Sequence, residues 1–566
     1  MFKVINTCLN GIYSVTVHLK HTTLKRICVM LFVLVFGFYL AFYLTSTYIT
    51  VRSTTDVSLP VTFHPCIKLP TKLDEKIGIQ CGLFRGHVYI NEKAHVFSIR
   101  FAVVTPTRYQ VLNGYPLHFN SNNIQSDGML PLLYIEGGPG VGNVVTSESL
   151  SYWQRVYFEQ KLNRPLVIYS PVGTKGSSPY PICQAYYDVL FNLFDSDSHS
   201  AINKFTQHIS HVLHQCVEQE NTIDIYSSYQ QKTMLLNLMA ALGFDQWHVW
   251  GSSYGTRLAL LLGHDKAVKR LLLDAPYLFH QGGYSQDVRL YYHALHLLEK
   301  KWQAIYPDQS KQAFSVVFDS ALKTLSEHKI FVSVRNRRHK PTYILKDINY
   351  LLTPKRLFEL GFFSLYSSKN TQNFFNLLLT LRHDKFLSEQ YYSIQNTLID
   401  DYIDSYTDQS FNPLMYYFVE CQDNGLSTFQ EVNEAIYQSK HAFTKSRLNN
   451  TTKHWLSILK PFDDAILDDY RTYPCRHPRF HQRYTVNNET YPDKPMLFLA
   501  GEYDPVTPSD DLTLLPKKDN IFTLIKKGAG HGVLTSQYCQ AGVVDAFLAK
   551  ETLPRHSMKK INRLCD

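Results

Sequence analysis

Charged residues make up only 19% of this 566-residue chain. The chain also has no long low-complexity tract and no internal repeat of about 20–50 residues. A disordered polymer, a collagen-like helix and a stacked-repeat array are therefore excluded. It has no H-E-x-x-H, no Walker loop and no G-x-G-x-x-G after a strand, so metalloprotease, NTPase and dinucleotide-binding readings lack residue support. No basic cluster interleaves with aromatic residues. Of the formal +9 charge, Lys3, Lys20, Lys25 and Arg26 precede an apolar run; the remaining about +5 is ordinary surface charge and implies no nucleic-acid partner. His208, His211 and His214 recur every third residue, but on a helix they spread over about 120° and about 9 Å of its axis, too far apart for one metal. No metal site and no cofactor are expected.

What is present is a chain that is 45% hydrophobic and 14% aromatic, able to bury a large core as two or more units. Ile27 to Leu44 carries no charge and no strongly polar side chain, and is nearly long enough to cross a hydrocarbon core; Tyr43 and Tyr48 suit the outer interface. With the cations on its amino side and the first acidic residue at Asp56, the body is expected to face outward. The long leader favours a retained anchor over a cleaved signal peptide. The expected organisation is a basic cytoplasmic tail over 1–26 and a transmembrane anchor over 27–48. A first core part over 49–275, a helical cap over 276–493 and a second core part over 494–566 follow. Eight cysteines lie beyond the span, which suits an oxidising compartment, but spacing leaves their connectivity open. Asn449, Asn450 and Asn488 begin N-x-T triplets, meaningful only where exported proteins are glycosylated.

From about Val96 to Asp274, short apolar runs (VFSIRFAVV, PLLYIE, PLVIYS, QWHVW, KRLLLD) alternate with helical stretches and read as buried parallel strands. The pattern returns in PMLFLA and IFTLI. Between them helical periodicity dominates. The predicted fold is α/β, a mostly parallel sheet flanked by helices with a large helical insertion.

Gly251-Ser252-Ser253-Tyr254-Gly255 joins a strand to an apolar helix and fits a nucleophile elbow, with Ser253 projecting above the sheet edge. A hydroxyl nucleophile needs a base and a carboxylate that orients it. Asp504, after the strand MLFLA, and His531, in Gly-Ala-Gly-His-Gly after IFTLI, supply them in the chain order Ser, Asp, His; Asp274, at another strand end, is the runner-up acid. For the oxyanion, the N–H of Tyr254 is one expected donor. Gly138, in Glu136-Gly137-Gly138-Pro139-Gly140, is the second.

GGPG, GSSYG, GEYDPVTP and GAGHG in this order resemble the S33 peptidase family of prolyl and tripeptidyl aminopeptidases within the α/β-hydrolases. The resemblance implies an α/β-hydrolase fold whose cap binds the substrate's free amino group with carboxylates. Glu420-Cys421-Gln422-Asp423 resembles the corresponding segment of the tripeptidyl branch, so Glu420 and Asp423 are candidates, and Glu136 beside the oxyanion loop is a third. It also implies disulfides Cys66–Cys81, Cys183–Cys216, Cys421–Cys475 and Cys539–Cys565. Two departures stand out: Glu136 occupies a position usually held by His or Pro, and Ser170 to Ser177 lacks the acid and arginine of the usual D-x-R-G-x-G-x-S. The expected function is a membrane-anchored, exported serine aminopeptidase acting on peptides with a free N-terminus. A carboxylesterase or lipase on the same triad is the alternative, and a non-catalytic binding protein a more distant one.

Overall fold

The computed structural model describes residues 60–566 apart from 67–76, 107–128, 197, 221–222, 308–312, 335–347, 383–388, 408–409, 446–451, 472–473, 481–488, 537 and 549–554. The expected anchor over 27–48 and the three N-x-T asparagines lie outside the described residues. Among the described residues no helix is long and apolar enough to cross a membrane.

One nine-stranded sheet organises the body, in the order β1-β2-β3-β5-β4-β6-β7-β10-β11. Its strands are β1 (Val61–His64), β2 (Ile77–Ile90), β3 (Lys93–Pro106), β4 (Leu132–Ile135), β5 (Leu166–Ser170), β6 (Trp247–Ser252), β7 (Val268–Asp274), β10 (Met496–Gly501) and β11 (Ile521–Lys526). From β5 to β11 every pairing is parallel. Strands β4, β5, β6 and β10 are buried along their whole length, which is why they read as unbroken apolar runs rather than as alternation: helices cover both faces.

The run from Val96 to Val104 departs from the expected parallel pairing. It belongs to β3, antiparallel to both β2 and β5. Its partner β2 arrives through a two-residue turn, Asn91-Glu92, with φ of 49° and 65°, a connection that can join only antiparallel strands.

The flanking helices are α1 (Ser147–Glu159), α2 (Gln184–Phe194), α3 (His199–Gln219), α4 (Ser228–Ala241) and α5 (Tyr254–Leu262). Between β7 and β10 come α6 (Tyr284–Ile305), α7 (Phe314–Glu327), α8 (Pro354–Ser364), α9 (Ser368–Arg382), α10 (Glu389–Thr407), α11 (Pro413–Asn424), α12 (Phe429–Lys445) and α13 (Thr452–Arg471). This region also holds an antiparallel hairpin of β8 (Ile330–Val334) and β9 (Ile348–Leu352), which the helical periodicity around it did not announce. The chain ends with α14 (Val543–Leu548) and α15 (Arg555–Cys565). The four disulfides implied by the resemblance are all present.

Parallel strands align their carboxyl ends at one sheet edge, where α/β proteins bind ligands. Register puts Ile135 beside Gly251, Ser252 beside Asp274 and Gly501 beside Lys526. The loops bearing Glu136 to Gly140, Ser253, Asp504 and His531 therefore all leave the sheet on the same edge.

Candidate active site

Ser253 has φ 53° and ψ −126°, a left-handed backbone that a non-glycine residue adopts only when its surroundings impose it. They do: a Cβ on Gly255 would lie 2.2 Å from the carbonyl oxygen of Ile135, so the elbow packs directly on the end of β4. The oxyanion loop is equally close, since a Cβ on Gly137 would lie 2.8 Å from Ser253 Cβ. Tyr254 opens α5, where the first N–H has no intrahelical acceptor. Gly138 is exposed, with φ 108°.

On the neighbouring loops, His531 Nδ1 lies 3.0 and 2.9 Å from the two Asp504 carboxylate oxygens. Asp504 also accepts from the N–H of Val506 and Thr507, each at 2.9 Å, and from the Thr507 hydroxyl at 2.6 Å. Burial alone would raise its pKa, but His531 and the Thr507 donors outweigh burial and hold it below the ordinary carboxylate value. For His531 burial opposes the charged ring; Asp504 foremost, with Asp274 and Glu136, outweighs it and raises the pKa. The ring of Tyr366, just past α8, meets the imidazole edge-on at 5.1 Å. Ser253 Oγ makes no hydrogen bond to the imidazole in this structure; such bonds are often loose without substrate and tighten in the Michaelis complex.

Asp274 does not orient His531 directly. Its carbonyl accepts the Ser253 N–H at 2.9 Å, and its carboxylate accepts the N–H groups of Val533, Leu534 and Thr535 at 2.7, 2.9 and 3.4 Å. One buried residue thus ties the elbow to the loop just after the histidine. Burial pushes its carboxyl up to about 6, against the pull of those three amides.

Glu136 turns one oxygen inward, accepting from Tyr134 Oη and from the Gly137 N–H, both at 3.0 Å. That contact occupies the Gly137 N–H. Burial raises the Glu136 pKa.

The loop in which the usual acid and arginine are missing is held from the cap. Asn412 caps α11, accepting from the Leu414 N–H at 3.0 Å, and Pro413 at the first helical position suits that start. The Asn412 amide donates to the carbonyls of Gly173 and Pro181 at 2.7 and 3.1 Å, while its backbone N–H donates to Gly140 at 2.9 Å. Gly142 N–H donates to Ser410 at 2.8 Å. A helix-start Asn-Pro pair was the available signal for this residue.

Helix α11 also carries the two carboxylates expected from sequence. Glu420 is 6% exposed and accepts from Tyr277 Oη at 3.0 Å and from the Asn424 amide at 2.6 Å; burial pushes it up to about 7, though Arg257 works against the rise. Asp423 is 1% exposed and is bonded to the Ser228 hydroxyl and N–H. Ser228 Oγ lies 2.6 Å from Tyr254 Oη. Asp423 is raised to about 6 by burial. Asp423 is thus tied into the wall behind the elbow, whereas Glu420 faces a further acid, Asp287 of α6. Burial, then Glu420, pushes Asp287 up to about 7. Asp287 accepts no hydrogen bond from any described residue. In sequence it is one acidic residue in a helix's first turn, and nothing marked it.

Residues 463–560 match the family model described as TAP-like protein. That match is confined to the C-terminal part of the chain, the part that carries Asp504 and His531. No curated protein matches this hydrolase in sequence. Among solved structures it is similar to an α/β-hydrolase enzyme, MGS-M2, from a Medee basin deep-sea metagenome library (11% identity, 83% of this chain and 99% of that one, TM-score 0.31). It is also similar to a proline iminopeptidase of Mycobacterium smegmatis (12%, 80% and 93%, TM-score 0.28) and to a membrane phospholipase A described as a bacterial virulence factor (11%, 85% and 87%, TM-score 0.29). At such scores these likenesses carry no weight for substrate. Among the described residues no group of three His, Cys, Asp or Glu could hold a metal ion.

Proposed function

We propose that this hydrolase is a serine aminopeptidase that releases N-terminal residues or short peptides, exported and held at a membrane by residues 27–48. His531 takes the Ser253 proton as Oγ attacks the scissile carbonyl, and Asp504 keeps the imidazole in the tautomer with the proton on Nδ1. The N–H groups of Tyr254 and Gly138 donate hydrogen bonds to the developing oxyanion. The imidazolium then protonates the leaving amine, and water hydrolyses the acyl-enzyme by the reverse sequence.

The observation that carries the aminopeptidase reading is Asp287: a half-buried carboxylate that accepts no hydrogen bond from any described residue, near a second, buried carboxylate, Glu420. A substrate ammonium supplies the missing donor and charge. Glu420 is linked through Tyr277 to Thr256, whose hydroxyl accepts the Tyr277 N–H at 2.7 Å, which puts the acidic pair within a short bonded path of the nucleophile.

Two measurements test this. A fluorophosphonate probe is expected to label the wild type and not Ser253→Ala. Aminoacyl amides are expected to turn over, and acetylating their amino group to abolish turnover. Equal hydrolysis of free and acetylated substrates, or a preference for simple esters, overturns the aminopeptidase reading.

A further inference from the structure

Helix α6 presents Asp287, Tyr291, Leu295 and Leu298 at spacings of four, four and three, one continuous stripe about 16 Å long. Its first member is the unpartnered acid. The other three line a partly open cavity in the cap whose volume is about 50 Å³. Phe318, Phe358, Phe362 and Phe462 supply much of the rest of the lining, together with Glu359 and the Lys355–Asp469 ion pair. The cavity and the catalytic imidazole are close along the chain. Phe362 lines the cavity, stacks edge-on against Tyr291 at 5.7 Å, and is followed four residues later by Tyr366, the ring set against His531. Phe363 and Tyr366 pack at 5.8 Å.

We infer that this cavity is the specificity pocket for the side chain of the substrate's N-terminal residue, and that it selects a large apolar side chain, aromatic or branched aliphatic. The inference rests on the aminopeptidase reading. With the ammonium at Asp287 and Glu420, the group attached to the same carbon must lie a few ångströms away. One helical turn along the stripe that distance reaches Tyr291 and the apolar wall beyond it. A small or charged side chain would leave that wall wet or bury a charge against phenyl rings, and either costs binding.

The test uses the full chain and a panel of aminoacyl amides that differ only in the N-terminal residue. Phe and Leu are expected to exceed Ala and Gly in kcat/KM by about 10-fold or more. Ala465→Phe, on α13, fills the cavity from a residue that lines it; it is expected to bring the Phe-to-Ala ratio to about 1. Should that variant not fold, Leu298→Ala widens the same space and is expected to favour Trp over Leu. A flat panel, or ratios unmoved by either variant, overturns the pocket. If Ser253 still reacts with the fluorophosphonate and free-amino substrates still turn over, only the pocket has failed. If no free-amino substrate turns over, the aminopeptidase reading fails and the pocket with it.

Discussion

Asp504, fully buried, and Asp287, half-buried, are the same residue type with opposite electrostatics. Asp504 receives two backbone N–H groups, a hydroxyl and an imidazole, and its pKa falls below the ordinary value. Asp287 accepts from no described residue and lies near another acid, Glu420, and its pKa rises to about 7. Burial is common to both, so the donors decide the charge state. Asp504 is a completed structure that stabilises a neighbouring cation. Asp287 has no such donors among the described residues, and under the proposed function this separates a group that serves the chemistry from one that receives a substrate.

Mutation can break or sharpen that contrast. The largest effect is expected at the completed site: Asp504→Asn should lower kcat by about 10⁴-fold, with KM little changed, because the wrong imidazole tautomer is favoured. Asp274→Asn should cost about 1–3 kcal/mol in chemical denaturation, since an amide presents N–H to amides that need an acceptor. It should also lower the acidic pKa of the kcat/KM profile, because the Asp274 charge helps raise that of His531; an unmoved profile would reduce Asp274 to a purely structural tie. Asp287→Asn should raise KM for free-amino substrates by about 10-fold, as expected for one lost charge-assisted hydrogen bond, and leave kcat nearly intact. Loss of kcat instead would erase the distinction between the two acids.

Smaller still is the pH effect. Both Asp287 and Glu420 are raised to about 7, so they take up protons as pH falls through 7, and KM for an ammonium substrate should rise between pH 8 and 6. Stability should move the other way. The folded state holds these two protons more tightly than the unfolded chain does, so their contribution to stability is full below the ordinary carboxylate range and is lost as pH rises through about 7. Asp287→Asn should flatten both trends.

The catalytic loops were legible because backbone geometry restricts residue choice there. An elbow packed on the Ile135 carbonyl tolerates only glycine at 255, and strand ends followed by GEYDP and GAGHG announce where polar side chains leave the sheet. The cap was legible only as helix. Asp287 has no local signature, since its meaning comes from what α11 brings opposite it, and the cavity beyond Tyr291 exists only once four helices meet. Strand β3 was found but given the wrong pairing, because its partner β2 carries three glycines and an uneven burial pattern that period-2 reading does not detect. Asn412 replaces support that the 170–177 loop lacks, from a position more than 200 residues away, a compensation visible only in space. The anchor over 27–48 remains a proposal from sequence.

The bonds from Ser410 and Asn412 to Gly142 and Gly140 join the roof of the chamber to the loop that must steady the reacting oxygen. Swinging α11 aside to admit a bulky guest would drag that loop out of shape, so wide opening and turnover exclude each other. For the proposed aminopeptidase, entry is therefore expected to be restricted to ligands slender enough to slip past a roof that stays down. A short peptide should be trimmed where a folded protein displaying the same first residue survives, and equal trimming of both would show that the roof lifts freely.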